Sequence, residues 1–333
     1  MGRDLPGLTP GDRSRPTRQH EPPGPLLRFR GGTIIYAALS GWVTRREQWD
    51  RAFLILLLPS VLFLLVFFMI PVVNMVKYAV YTLAPDRTMV PAVSAENFLR
   101  FFGRDLYRKI LMVTFRIGFI TTLLALLLGY PLAYTMAKGK PAIGRLISIV
   151  VISPILVSIV IRTYGWMILL APNGLLNNAL LALGIVSAPV KFIFNEPGVI
   201  IGLVHIFLPF MVLPLYGSIQ GINPALEEAA MVLGANRLMV FVRVIFPLSV
   251  PGVVAGSLLV FTLSVSAYVT PALLGGGLTM MMGTLVAQQI LGESNWPLGA
   301  AMATILVVVT VGLVLLYHRF VEGRSRYLSA MGG

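Results

Sequence analysis

Six apolar runs, each long enough to cross a bilayer, constrain this chain more than any other feature. They lie at about residues 52–73, 110–136, 146–170, 198–216, 252–274 and 298–317. A helix rises 1.5 Å per residue, so about 20 apolar residues cross a hydrocarbon core of roughly 30 Å. Lipid supplies no hydrogen-bond partner for a backbone amide, so a spanning run must satisfy its own, which a helix does. Pro59 and Pro71 fit within the first run, because neighbouring helices satisfy the freed carbonyls. Only 12% of the residues are charged, about half the share of a soluble domain. The expected fold class is all-α integral membrane, with a six-span body over 51–320.

The segments between the runs carry the topology. Residues 1–50 form an amino-terminal tail. Its first 32 residues are rich in Pro, Gly and Arg, the composition of a disordered segment. The short apolar piece at 33–42 is followed by Arg45 and Arg46, unlike a cleavable signal. Residues 318–333 form a short carboxy-terminal tail. With the amino terminus placed in the cytoplasm, inside segments hold 17 Lys plus Arg and outside segments 7. That asymmetry follows the positive-inside rule and puts both termini and the loop after span four in the cytoplasm. Segment 74–109 runs against it, with Arg100, Arg104, Arg108 and Lys109 outside. The net charge of +13 suggests nucleic acid at first sight, but its dispersal over the tail and short loops points to topology instead.

Catalytic chemistry has no foothold. His20, His205 and His318 have no second histidine or carboxylate at metal-ligand spacing, so neither a metal nor a cofactor is expected. Cysteine is absent, which excludes disulfides. Gly139-Lys140 is followed by Pro141 and lacks the upstream glycine of a phosphate-binding loop. If ATP drives this chain, the nucleotide site is on a partner. Within the runs the ionisable residues are Arg116, Arg162 and His205, with no Asp or Glu. That disfavours a carboxylate-coupled pump. Arg116 lies near the outer end of its run and reads as a snorkelling side chain, and His205 reads as a packing residue. Arg162 stands with Tyr164 and Trp166 in Arg-Thr-Tyr-Gly-Trp, which fits either a translocation pathway or an interfacial belt. Met280-Met281-Met282 reads as an apolar loop element. The Gly, Ala and Ser residues of the last two runs suit close helix packing.

The loop Asn223–Pro251 is the most informative stretch. Asn223 suits a helix cap and Pro224 the first helical position. Glu227 and Glu228 oppose the positive end of the helix dipole, and Gly234 ends the helix after Leu233. Leu226, Ala229, Ala230 and Leu233 share one face, suited to another protein's groove. On physics alone an amphipathic connector would look the same.

The spacing Glu228-Ala229-Ala230, Gly234 and then Pro247 resembles the EAA loop of ABC-type importer permeases. Val244 and Phe246 stand where that family prefers Ile and Leu, keeping an apolar side chain at each place. The resemblance implies the six-helix fold of type I importer permeases, with these five residues docking on an ATPase. Over about residues 50–320 it narrows to the spermidine/putrescine permeases, B-type subunit. The residues that carry it are 161–166, Gly174–Asn177, Leu208–Tyr216 and Asn295–Ala301. Such a subunit implies a second permease in a heterodimer, two cytoplasmic ATPases, an extracytoplasmic solute-binding protein and a bacterial inner-membrane setting. It implies a polyamine or related small organic solute, although the spans offer a cation no carboxylate. Aromatic faces, carbonyls and the second subunit can line a cationic path. The alternative left open is a stand-alone secondary transporter or channel.

Overall fold

The computed structural model describes residues 57–330. The amino-terminal tail, the start of the first span and residues 331–333 lie outside the described part. Among the described residues six helices are long and apolar enough to cross a membrane. Helix α1 is Leu57–Ala79, and over residues 57–68 every side chain is exposed. From Met69 onward the chain packs as one body. Ala79, Ala300 and Ala301 are buried together beside Met75, Tyr78 and Phe98. The amide of buried Asn97 donates to the Ala79 and Tyr81 carbonyls at 3.0 and 2.8 Å, satisfying groups that the end of α1 leaves open.

A two-residue hairpin follows, β1 (Thr82–Leu83) antiparallel to β2 (Met89–Val90), with Thr82 opposite Val90. Next come α2 (Glu96–Gly103) and the long α3 (Asp105–Lys138). The third span differs from the unbroken helix expected over 146–170. Residues 141–170 form α4 (Pro141–Ile152), a 3₁₀ turn at Ser153–Leu156, and α5 (Ile159–Leu170), and the third helix long enough to cross runs on from Ile159 to Ala182. Pro154 has no N–H to continue the ladder, Val157 is extended, and Ser158 at ψ 137° is not helical. At 12 residues α4 is about 18 Å long, too short to span by itself, whereas the crossing helix continues beyond α5 to Ala182.

The remaining helices are α6 (Leu175–Ala182), α7 (Glu196–Gln220), α8 (Pro224–Val232), α9 (Arg237–Val240), α10 (Phe246–Val265), α11 (Val269–Leu274), α12 (Met282–Ala287) and α13 (Trp296–Ala330). A π-helical turn at Phe241–Ile245 joins α9 to α10, and another at Gln288–Gly292 follows α12. The fifth span therefore begins earlier than the expected 252, at Arg237. It ends at Val265, where the Ser266 hydroxyl donates to the Thr262 carbonyl at 2.9 Å. The last helix continues past its span to Ala330.

The core is built on α3, α7 and α10. Ile117, Ala125 and Ala133 of α3 meet Leu203, Ile206, Met211, Leu215 and Ile219 of α7 and Val260 of α10, all buried. Close approach of α7 and α10 depends on two glycines one helical turn apart. A Cβ on Gly252 would lie 2.8 Å from the Pro214 carbonyl oxygen and 2.6 Å from the Ser218 Cβ. One on Gly256 would lie 3.1 Å from the Met211 carbonyl oxygen. Met281 and Met282 are fully buried in two separate apolar clusters, so the methionine run packs as expected of an apolar element.

Candidate functional site

Helix α8 is fixed at both ends by its own sequence. The Asn223 side chain accepts from the Ala225 N–H at 3.0 Å, and Pro224 follows it at the first position. At the other end Gly234 takes φ +88°, a left-handed conformation that favours glycine. The Gly234 N–H donates to the Met231 carbonyl and the Ala235 N–H to the Ala230 carbonyl, both at 3.0 Å. This pair of bonds is the Schellman stop expected at Gly234.

Between its caps α8 buries no residue. Glu228 and Ala229 are exposed, as is Pro247, which sits at the start of α10. Ala230 is partly buried against the main core, with Ala235, Phe241 and Val244. A cavity of about 250 Å³ opens beside it, lined by Ala230, Leu233, Gly234, Ala235, Met239 and Arg243 among others. Val232 and Leu233 are 87% and 88% exposed, and Leu238 and Val242 also face outward. These side chains form an exposed apolar surface beside the charged Glu227, Glu228, Arg237 and Arg243. The coupling residues nominated from sequence thus share one helix and its exit, apart from Pro247, which lies beyond the π turn.

The second nominated group divides. Arg162 and Trp166 are one turn apart on α5 and partly buried, whereas Tyr164 is 51% exposed. Two residues along a helix are about 200° apart, so Tyr164 points away from the other two. The Trp166 ring meets His205 of α7 edge to face, with centroids 5.4 Å apart. Nε and Nη1 of Arg162 and Nδ1 of His205 are buried without a hydrogen-bond partner among the described residues. Next to Arg162, the buried Thr163 hydroxyl lies 3.2 Å from that of Thr270, joining α5 to α11. Arg162, in the first turn of α5, and His205 thus leave polar atoms without partners beside the Trp166 ring.

Three polar ties lie beyond the reach of the sequence. Arg116, expected to snorkel, pairs with Glu196 at the amino end of α7. The Tyr130 hydroxyl lies 2.8 Å from that of Ser249, joining α3 to α10. Lys138, the last residue of α3, pairs with Glu227 of α8 at 2.6 Å. Each joins residues remote in sequence, and no local periodicity signals them.

Residues 122–327 match the family described as binding-protein-dependent transport system inner membrane component. The chain is 36% identical over 262 residues to the spermidine/putrescine transport system permease protein PotB of Haemophilus influenzae, covering 78% of this chain and 91% of that protein. It is 38% identical over 235 residues to PotB of Escherichia coli K12, covering 70% and 85%. Among solved structures, a bacterial ABC transporter involved in importing the acidic polysaccharide alginate aligns with a TM-score of 0.66 at 20% identity. That alignment covers 84% of this chain and 97% of the other, and at such identity the likeness concerns the fold alone.

Proposed function

This chain belongs to the family of inner-membrane components of binding-protein-dependent transport systems, and from that premise we propose that α8 is the element through which an ATPase drives it. As a permease subunit of an ABC importer it is multi-pass and is not itself the ATPase. The stand-alone carrier gives way to that assignment. In our reading Glu228, Ala229, Ala230 and Gly234 dock in a groove of the cytoplasmic ATPase, with Pro247 setting the exit into α10. One observation carries this: α8 is capped at both ends yet has no fully buried residue, with Val232 and Leu233 almost wholly exposed.

The full machine proposed is a heterodimer of two permeases, two ATPases and an extracytoplasmic solute-binding protein, with both termini of this chain cytoplasmic. ATP binding closes the ATPases, α8 moves, and the spans rock from inward-facing to outward-facing. The solute proposed is a polyamine, on the likeness to the PotB proteins. Trp166 and His205 would offer it aromatic faces, while Arg162 presents donors to a carbonyl or carboxylate at the pore wall; Tyr164 stands at the edge of this pathway. Spermidine binding by the purified binding protein tests the solute, and its absence would remove the polyamine reading.

The chain has no cysteine, so one introduced thiol reports one contact. Val232→Cys is expected to cross-link to the ATPase in the assembled complex. An active complex that yields no cross-link would remove α8 as the dock. Arg162→Met is expected to slow transport about tenfold, equivalent to about 1.4 kcal/mol of barrier, with the Val232→Cys cross-link unchanged. Wild-type transport in that variant would take Arg162 out of the pathway.

A further inference from the structure

Lys138 stands at the other end of the only ion pair that α8 makes among the described residues. Lys138 closes α3, where a cation faces the negative end of the helix dipole. Glu227 lies in the first turn of α8, where a carboxylate faces the positive end. Lys138 Nζ is 2.6 Å from Glu227 Oε1, an ion pair outside hydrogen-bond geometry, and donates its hydrogen bond to the Ile222 carbonyl at 3.4 Å, just before the Asn223 cap. The Lys138 and Glu227 side chains are only 17% and 20% exposed, unlike the solvated pairs that contribute little.

Within α8 Glu227 and Ala230 are the partly buried residues, while Leu226 and Met231 are about half covered at 48% exposed each. The helix is therefore held to the rest of the chain by its two ends, by Ala230 and by this pair. On the other side of the pair, α3 has 34 residues and is about 50 Å long. It is fastened to α10 by Tyr130 and Ser249, to α7 by Arg116 and Glu196, and to α12 by the Thr114 hydroxyl, which accepts the Met282 N–H at 2.8 Å.

We infer that the Lys138–Glu227 pair is the latch through which a displacement of α8 is delivered to α3 and so to the outer half of the protein. Both are positioning residues for coupling, distinct from the surface that the ATPase touches. The inference rests on α8 being the ATPase dock. A packed helix end tied by a charged pair moves as one piece with its partner, whereas a helix tied only by its termini can tilt without moving α3.

The test uses the whole complex in proteoliposomes, with the binding protein isolated carrying its own solute, and reads its stimulation of ATP hydrolysis. Lys138→Met and Glu227→Gln are each expected to lower that stimulation roughly 2- to 30-fold, the span of coupling changes seen along such networks. Lys138→Arg, which keeps the charge, is expected to retain it. Each neutralising variant leaves a mostly buried charge unpaired and lowers the thermal midpoint. The double variant K138M/E227Q removes both charges, so it regains the midpoint while stimulation stays as low as in the single variants. A double variant stimulated like the wild type would show that the pair only stabilises, and would overturn the latch, as would fully stimulated single variants. Failure of the dock itself is read separately: the Val232→Cys cross-link would be missing without any change at Lys138 or Glu227.

Discussion

Ala230→Asp is expected to insert and assemble, yet to leave ATP hydrolysis at its unstimulated rate. Ala230 lies third from the end of α8, and its carbonyl accepts the bond from Ala235 that closes the helix. A carboxylate there opposes the negative end of the helix dipole, at about 0.3–1 kcal/mol. It also places a charge on the partly buried face that meets the core, where an unpaired polar group costs about 1–3 kcal/mol. Arg243 lines the same cavity and would draw the new carboxylate inward, pulling α8 off its native line. The measurement is solute-stimulated ATP hydrolysis in proteoliposomes, with Ala230→Ser as a control for size. Full stimulation in the Asp variant would remove this loop from the coupling path.

The second large effect lies in the membrane. Gly252→Ile is expected to cost about 3 kcal/mol, the upper part of the usual range for overpacking. The neighbours that a Cβ would strike include the Pro214 carbonyl and the Leu215 Cα of α7, which are backbone atoms and cannot rotate away. The expected result is a lower thermal midpoint in detergent and less assembled complex, with a smaller loss for Gly252→Ala. Gly277 serves as the control, because nothing lies within 4 Å of a Cβ built there, although its φ of +76° adds its own strain. An unchanged midpoint for Gly252→Ile would mean that α7 and α10 are not held as closely as described.

The sequence made the spans legible because lipid imposes one solution on a long apolar run. It made α8 legible because Asn223, Pro224 and Gly234 each have a stereochemical role at a helix end. It did not reveal the break at Ser153–Ser158, since a proline in a membrane helix is compatible with a straight span, a kink or a stop. Packing against the neighbouring helices chooses among them. Tyr164 was grouped with Arg162 and Trp166 by nearness along the chain, but helical geometry turns it away from them. The pairing of Lys138 with Glu227 has no local signal in the sequence. Pairing across such a distance depends on how α3 and α7 pack, and composition carries no trace of that.

The π turn at Phe241–Ile245 has a consequence for how homologous chains can differ in length. A π turn accommodates one residue more than the α-helix around it. Deleting a residue from this turn would restore regular α geometry and leave both flanks facing as before. The same deletion within α10, at Leu259 for example, would rotate everything beyond it by about 100° and turn the buried Val260 out of the core. Relatives one residue shorter through the entry to this span should carry their gap at 241–245 and keep their Gly252 and Gly256 equivalents in register.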